Sequence, residues 1–392
     1  MAVTRLTVAN LRNLLDISLS LNSSLNIIYG ENGSGKTSLL EAVYMLGMGR
    51  SFRSARAKPV INHNASQITL FGEVVSGGIT KTDKPQIDKE IHKIGLQKTR
   101  KGETLIKVDG DNVLTAARLA EHLPVLTINA NSFDLIEGPA KPRRQLLDWL
   151  AFHVEPSFLN TWKALQHCLK QRNSLLRRGR IDRLELRPWD AQLIELTAKI
   201  DAIRQETFEP FLASVQSLKD LLPDSEVALE YKPGWNRDHS YEEVLEQSLE
   251  RDLNRGYTHY GPHRSDIRIT TSGHSAGDVL SRGQQKVLVC ALILAQGMVF
   301  RDLTGKTSVY LVDDLASELD EVHRKSVGHW LSELNVQILI TGVEKEPLLD
   351  MWPNSLAEGQ KTQELDKAVF HVKHGKIEKE EPSFSKERNK QI

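Results

Sequence analysis

This chain of 392 residues is poor in cysteine, in charge of one sign and in long apolar runs, and each scarcity closes off a class of protein. Its two cysteines, Cys168 and Cys290, lie far apart and match no zinc spacing, which excludes a disulfide-rich secreted fold and points to a reducing compartment. Lys plus Arg and Asp plus Glu each total 51, so the formal net charge is zero. A protein that holds nucleic acid by bulk charge is thereby excluded. Any DNA contact must come from local basic patches or from a surface assembled by dimerisation. The longest apolar stretch, Val287 to Phe300, is interrupted by Gln296 and Gly297 and falls short of the ~20 residues a membrane span needs. The N-terminus has no charged-then-apolar signal, and Ala2 to Val8 alternates as a strand does. A soluble, cytoplasmic protein with no membrane partner is expected.

Two motifs stand out, roughly 240 residues apart. The first is GENGSGKT, comprising Gly30, Glu31, Asn32, Gly33, Ser34, Gly35, Lys36 and Thr37. The apolar run Leu25, Ile27, Ile28 before it reads as a buried strand. Leu39, Leu40, Val43 and Leu46 after it read as a helix. The glycines let backbone N–H groups turn around phosphate oxygens, and Lys36 places a point charge on the β and γ phosphates. The Thr37 hydroxyl is placed to ligate Mg²⁺, and the helix N-terminus adds positive dipole. The bland alternative is a chance Gly-rich turn.

The second half has two parts. Val309 to Val312 reads as a buried strand that delivers Asp313 and Asp314. Asp313 is the candidate Mg²⁺ ligand, and Asp314 is placed to orient or deprotonate the attacking water. An Asp-Asp turn is the competing reading. Upstream, LSRGQQK (Leu280 to Lys286) precedes the apolar stretch, so Ser281 and Gly283 fall at a helix N-terminus that attracts an anion, here a γ-phosphate. A simple N-cap would also explain Ser281. ATP and Mg²⁺ are the implied ligands.

LSRGQQK resembles the signature of ABC-type ATPases, and SELD (Ser317 to Asp320) is similar to their D-loop. The chain more specifically resembles the bacterial RecF family of DNA replication and recombinational repair. That likeness rests on LTVANLRNLLD at the start, GPAKPRRQLLD (Gly138 to Asp148), YTHYGPHRSD (Tyr257 to Asp266) and the pair Asp313–Asp314. It runs from about residue 3 to about residue 345. Some positions depart from the family pattern. Ser265 stands where the family usually has Asp, and Asn129–Ala130 replaces Ser-Pro. No switch His follows Val336 to Ile340, where Thr341 stands instead, and the loop before Asp134 has no Gln.

The fold class this implies is α/β, an ABC-type P-loop ATPase head with an inserted helical lobe. Residues 1–140 are expected to form the N-terminal part of the ATPase domain, including a β-rich lobe around 66–115. Residues 141–254 are expected to be the helical insertion, 255–374 the C-terminal part of the ATPase domain, and 375–392 a disordered tail. Lys81 to Lys101 reads as an exposed hairpin or loop. In the insertion, Leu193, Leu196, Ile200 and Ile203 mark a short helix-hairpin seam. Pro156, Pro188, Pro210, Pro223 and Pro233 are expected to cut the region into short pieces, with no long coiled coil.

The resemblance implies an ATP-driven homodimer in which Ser281 and Gly283 of one copy close over the nucleotide of the other. The missing switch His and Gln point to slow hydrolysis used as a switch, and the resemblance implies gapped DNA with single-strand/double-strand junctions, the partners RecR and RecO, and RecA loading in gap repair and the SOS response. Lys170 to Arg187 has seven basic residues against two acidic ones, and Lys141, Arg143, Arg144 and His259 to Arg268 are also basic. These are the candidate DNA patches, with solvated faces or internal ion pairs as the alternative. Few aromatics are interleaved with them in sequence, which argues against base stacking. Arg12 either reaches the nucleotide or forms an ion pair. Two other functions remain open: the ATPase subunit of a membrane transporter, whose motif halves lie much closer together, and an SMC-like structural clamp, which needs long arms.

Overall fold

The computed structural model describes residues 1–79, 87–178, 183–218, 221, 226–353 and 366–381. Two compact units emerge, Met1–Ala130 with Gly305–Ile392, and Asn131–Thr304. In chain order the first unit begins with β1 (Ala2–Leu11), β2 (Leu14–Ser20), β3 (Leu25–Tyr29), α1 (Lys36–Met48), β4 (Gln67–Ile79), β5 (Ile87–Thr99), β6 (Thr104–Val108), β7 (Asp111–Val113), α2 (Ala117–His122) and β8 (Val125–Ile128). The second unit contains α3 (Ala140–Val154), α4 (Phe158–Leu176), α5 (Arg183–Ser217), β9 (Val227–Lys232), α6 (Tyr241–Arg255), β10 (Asp266–Thr271), β11 (His274–Ser275), α7 (Ala276–Val279) and α8 (Arg282–Thr304). The chain then returns to the first unit with β12 (Val309–Val312), α9 (Glu321–Glu333), β13 (Ile338–Gly342), α10 (Glu346–Leu349), β14 (Lys367–Lys373) and β15 (Lys376–Lys379).

The first unit is built on two six-stranded sheets. One is antiparallel in the order β2-β1-β4-β5-β6-β7. Alternation sets its buried face, and in β1 a register shift between Val3 and Arg5 moves that face from Val3 to Leu6 and Val8. The long β4–β5 hairpin pairs from Gln67 opposite Thr99 to Ile79 opposite Ile87, so part of the expected Lys-rich hairpin is strand. Its residues 80–86 lie outside the described residues. The other sheet runs β15-β14-β3-β13-β12-β8, parallel except for the edge strand β15. Strands β12 and β13 are buried along their whole length, the continuous apolar pattern of a parallel sheet covered on both faces. Helix α1 shares one core with both sheets. Its Leu39, Val43 and Leu46 join Val3 and Leu70 of the antiparallel sheet and Ile28, Leu311 and Leu339 of the parallel one. Apolar residues therefore cover most of its circumference, as burial on all sides demands.

The parallel strands end on one edge. The loop after β3, Asp313 after β12 and Thr341 in β13 all lie at carboxyl ends of strands, where ligands bind in open α/β sheets.

The second unit packs helices with a three-stranded antiparallel sheet, β11-β10-β9. Leu193, Leu196 and Ile200 of α5 are buried against Leu165, Cys168 and Leu169 of α4, and Ile203 packs beside them, which is the seam read from the spacing. The expected short pieces are not what forms. Helix α5 runs for 35 residues through Pro188 and Pro210. Each interior proline costs about 3 kcal/mol, but buried Leu186, Leu193, Leu196, Ile200, Phe208, Phe211 and Val215 line the helix, and each fully buried side chain returns about 1.5–3 kcal/mol. The division into units also falls at 131 and 304 rather than at 141 and 254, and the helical lobe carries its own sheet. At the far end, Lys376–Lys379 is a strand paired with β14, so ordered structure continues past the expected start of the tail. Residues 382–392 lie outside the described residues.

By length and composition α8 could cross a bilayer, but Val287 to Gly297 is buried within the protein. It is a core helix. Both cysteines are buried thiols outside any disulfide, and burial pushes the Cys168 thiol up to about 11.

Candidate nucleotide site

The loop between β3 and α1 is glycine-dependent for a steric reason. Gly30 has φ +149°, and a Cβ there would stand 2.2 Å from the Val372 carbonyl oxygen of β14. Gly35, the residue before α1, has φ +122°. The β1–β2 turn braces the loop. Asn13 Nδ2 donates to the Ser34 carbonyl at 2.9 Å and to the Gly33 carbonyl at 3.3 Å, while Gly375 N–H donates to Ser34 O at 2.8 Å. Arg12 forms a bidentate pair with Glu41, a carboxylate fully buried in α1, and its Nη2 donates to Glu41 Oε1 at 2.9 Å. This is the ion-pair alternative for Arg12, though its side chain still lines the cavity described next.

A cavity of about 510 Å³ opens over the loop. Lys36, Thr37, Asp313 and Asp314 line one part of it, with Asn32, Gly33 and Gly35. The Lys36 ammonium donates to the Gly30 carbonyl at 2.6 Å and the Glu31 carbonyl at 2.9 Å, and burial lowers its pKa against the raising effect of Asp314 and Asp313. Thr37 Oγ1 donates to Asp313 Oδ1 at 3.0 Å, so the two expected Mg²⁺ ligands are already neighbours. Burial raises the Asp313 pKa, while hydrogen bonds from Thr341 and Thr37 hold it down.

The sequence marks Thr341 only as standing where a switch His would, with no role of its own. It is fully buried, its hydroxyl donates to Asp313 Oδ1 at 2.7 Å, and it accepts from the Asp314 N–H at 3.0 Å. One side chain on β13 thus ties both carboxylates after β12. Asp314 holds a left-handed conformation, φ +54°, that is costly for a residue with a Cβ. Ser317 Oγ, donating to Asp314 O at 2.9 Å, closes the turn. Asp314 Oδ1 and Ser34 Oγ are buried with no hydrogen-bond partner among the described residues. Ser34 lies on the side of the loop that faces His371 and Val372. The unsatisfied buried Asp314 oxygen, in the cavity that also holds the Thr37–Asp313 pair, fits a hard cation with its phosphate ligand. Pro59, Ile61, Asn62, His63 and Arg53 line the rest of the cavity, and none was marked by a motif.

Ser281 and Gly283 belong to the second unit. Ser281 is the residue before α8 and forms a reciprocal cap. Its N–H donates to Gln284 Oε1 at 2.9 Å, and Gln284 N–H donates to Ser281 Oγ at 3.3 Å. Ser281, Arg282 and Gly283 are exposed, and Gln284 is half-buried. In the D-loop stretch, Asp320 caps α9 by accepting from His323 N–H at 3.0 Å.

Residues 2–364 match the family model of the RecF/RecN/SMC N terminal domain. The DNA replication and repair protein RecF of Cellvibrio japonicus (strain Ueda107) is 46% identical over 378 residues, which is 96% of this chain and 99% of that protein. This chain belongs to the RecF family. A solved structure of the recombination mediator protein RecF-ATPrS in the RecFOR pathway is 26% identical, with a TM-score of 0.79 over 96% of this chain and 97% of that one. The structure of RecF-ATP in the same pathway shares the fold, with a TM-score of 0.82 at 24% identity over 97% of this chain and 98% of that one. The fold class is accordingly an SMC-type P-loop ATPase head.

The stretches that carried the family resemblance in the second unit lock to one another. Arg143 pairs bidentately with Asp266 at 2.7 and 3.0 Å and donates to Leu135 O and Gly138 O. Arg144 donates to Ser265 O at 2.7 Å. Arg204 pairs bidentately with Asp148 and donates to Pro262 O and Ser265 Oγ. Ser265, the departure from the family Asp, therefore accepts from an arginine whose charge Asp148 already neutralises. Arg172 is fully buried between Asp190 and Asp252, each at 2.7 Å. Arg143 and Arg172 are thus internal ion-pair residues and Arg144 is tied to a backbone carbonyl, so all three drop out of the candidate DNA patches. Residues 179–182 of the Lys170–Arg187 patch lie outside the described residues.

Proposed function

We propose that this chain is an ATP-dependent DNA-binding switch of recombinational repair, with slow hydrolysis that times release. The observation that carries the reading is the convergence of Lys36, Thr37, Asp313 and Asp314 on one cavity above a glycine loop and a helix N-terminus. In this reading the backbone N–H groups of Gly33 to Lys36 and the Lys36 ammonium bind the ATP phosphates. Thr37 and Asp313 would hold Mg²⁺, which supplies charge neutralisation at the β and γ phosphates. Asp314, kept in its left-handed conformation by Thr341, orients the attacking water.

Ser281 and Gly283 sit exposed at the N-terminus of α8, available to a nucleotide held by a second copy. ATP then holds a homodimer together, and loss of the γ-phosphate releases it. Thr341 occupies the place of the switch His, so no histidine at that position assists the step, and turnover is slow. Membership of the RecF family extends the reading to gapped DNA, to RecR and RecO as partners, to RecA loading and to action in the cytoplasm.

Filter binding of gapped DNA with and without ATP, across salt, tests this. Binding should need ATP and fall steeply with salt, since each phosphate contact steepens the log–log slope by roughly one unit. Binding that ignores both ATP and salt would overturn the proposal.

A further inference from the structure

In sequence, the arginines of 170–187 and the tyrosines of 257–266 are unrelated segments. In the structure the ends of α4 and α6 meet. Asn173 Oδ1 accepts from the Thr258 N–H and hydroxyl, both at 2.8 Å, and Arg172 of α4 pairs with Asp252 of α6. A Cβ on Gly256 would stand 2.8 Å from Arg177 Cγ, so the Arg177 stem lies against the loop that follows α6. Within that loop Tyr257 and Tyr260 are both 37% exposed. Each has an arginine at the edge of cation–π range. The Arg264 guanidinium is 5.6 Å from the Tyr257 ring, and that of Arg251 is 6.0 Å from the Tyr260 ring.

The Tyr257 ring is held from behind, and the Tyr260 hydroxyl accepts from Arg251 Nη1 at 3.2 Å. Tyr257 stacks on His259 at 4.4 Å, and His259 is fixed to the buried carboxylate of Asp252 through its backbone N–H at 3.0 Å and its ring at 2.9 Å. Asp252 is itself buried and paired, so its charge does not face the surface. His263 is kept neutral, its pKa lowered to about 4 by burial, and adds no charge here. What reaches solvent is aromatic area interleaved with arginine.

We propose that the α4–α6 end of the second unit, presenting Tyr257 and Tyr260 among Arg177, Arg251 and Arg264, is a stacking platform for single-stranded DNA. Unpaired bases offer π-faces that a duplex hides, and arginines at this spacing take the phosphates between them. The preorganised rings limit the entropy lost when a base docks. This inference rests on the DNA-binding reading above and adds to it where the single strand lies.

The test is fluorescence anisotropy of the full chain with ATP, using labelled oligo(dT) and a duplex of equal length. Replacing both tyrosines, Tyr257→Ala with Tyr260→Ala, should weaken oligo(dT) binding about tenfold or more, leave the salt slope unchanged and barely affect the duplex. Arg251→Ala should lower the salt slope by about 0.7. Tyr257→Trp should bind oligo(dT) as the unaltered chain does, and an unchanged melting profile and protease resistance in every variant show that each is folded. Oligo(dT) binding untouched in the double alanine variant would overturn the platform and leave this surface to a protein partner. Failure of the unaltered chain to bind any DNA would instead overturn the parent reading, and this one with it.

Discussion

Thr341 does at this site what no motif records. Its hydroxyl accepts from Asp314 N–H and donates to Asp313, so it sets the geometry of both carboxylates. Thr341→Val keeps the shape and removes both bonds. An unpaired buried N–H costs about 1–3 kcal/mol, and relief of the left-handed conformation at Asp314 moves its carboxylate. We expect ATP binding to persist while turnover falls about tenfold or more, measurable by equilibrium binding beside steady-state phosphate release. Turnover equal to that of the unaltered chain would show that Thr341 is only a packing residue.

A second residue gives a pH signature. Burial lowers the His263 pKa from its ordinary 6.5 to about 4, while its Nε2 hydrogen bonds the Thr258 carbonyl. The native state therefore binds fewer protons than the unfolded chain between those values. Its contribution to stability is complete above pH 6.5 and is lost as pH falls toward 4, by up to about 3 kcal/mol. Melting of the unaltered chain and His263→Asn at pH 7 and pH 5 checks this. The gap between the two pH values should narrow in the variant.

At the scale of elements, the legible parts were those with a local signature. The phosphate loop, the apolar strands β3 and β12 and the seam residues of α5 each declare themselves through spacing or composition. The continuity of α5 did not, because the burial that outweighs Pro188 and Pro210 comes from partners distant in sequence. The basic stretches were ambiguous for the same reason. Arg143, Arg144 and Arg172 read equally as DNA-facing charge or as internal pairs, and only tertiary contacts reveal their carboxylate and carbonyl partners. Thr341 and the cavity wall at Pro59 and Ile61 were illegible because they enter the site from other strands and loops with no fixed offset from the motif. One consequence is quantitative. Arg172→Ala leaves Asp252 buried without its arginine and should cost about 3–5 kcal/mol in urea unfolding. A loss within 1 kcal/mol of zero, about the worth of a surface pair, would mean that solvent reaches the site.

For the whole molecule, a zero net charge and the proposed ATP-bridged pairing belong together. A neutral chain does not grip DNA through bulk charge, so affinity has to be assembled, and ATP-driven pairing is a means of assembling it. In the proposed dimer, Ser281 and Gly283 contribute nothing to the nucleotide of their own copy and everything to that of the other. Ser281 is exposed and serves only as the cap of α8 in the single chain, so Ser281→Arg should lose about 1 kcal/mol of helix capping and leave ATP binding intact. Sedimentation of the unaltered chain and Ser281→Arg, each saturated with ATP and Mg²⁺, is the direct test. The unaltered chain should move from monomer to dimer while the variant stays monomeric with nucleotide bound. ATP-dependent dimers of undiminished stability in Ser281→Arg would contradict a site completed by a second copy.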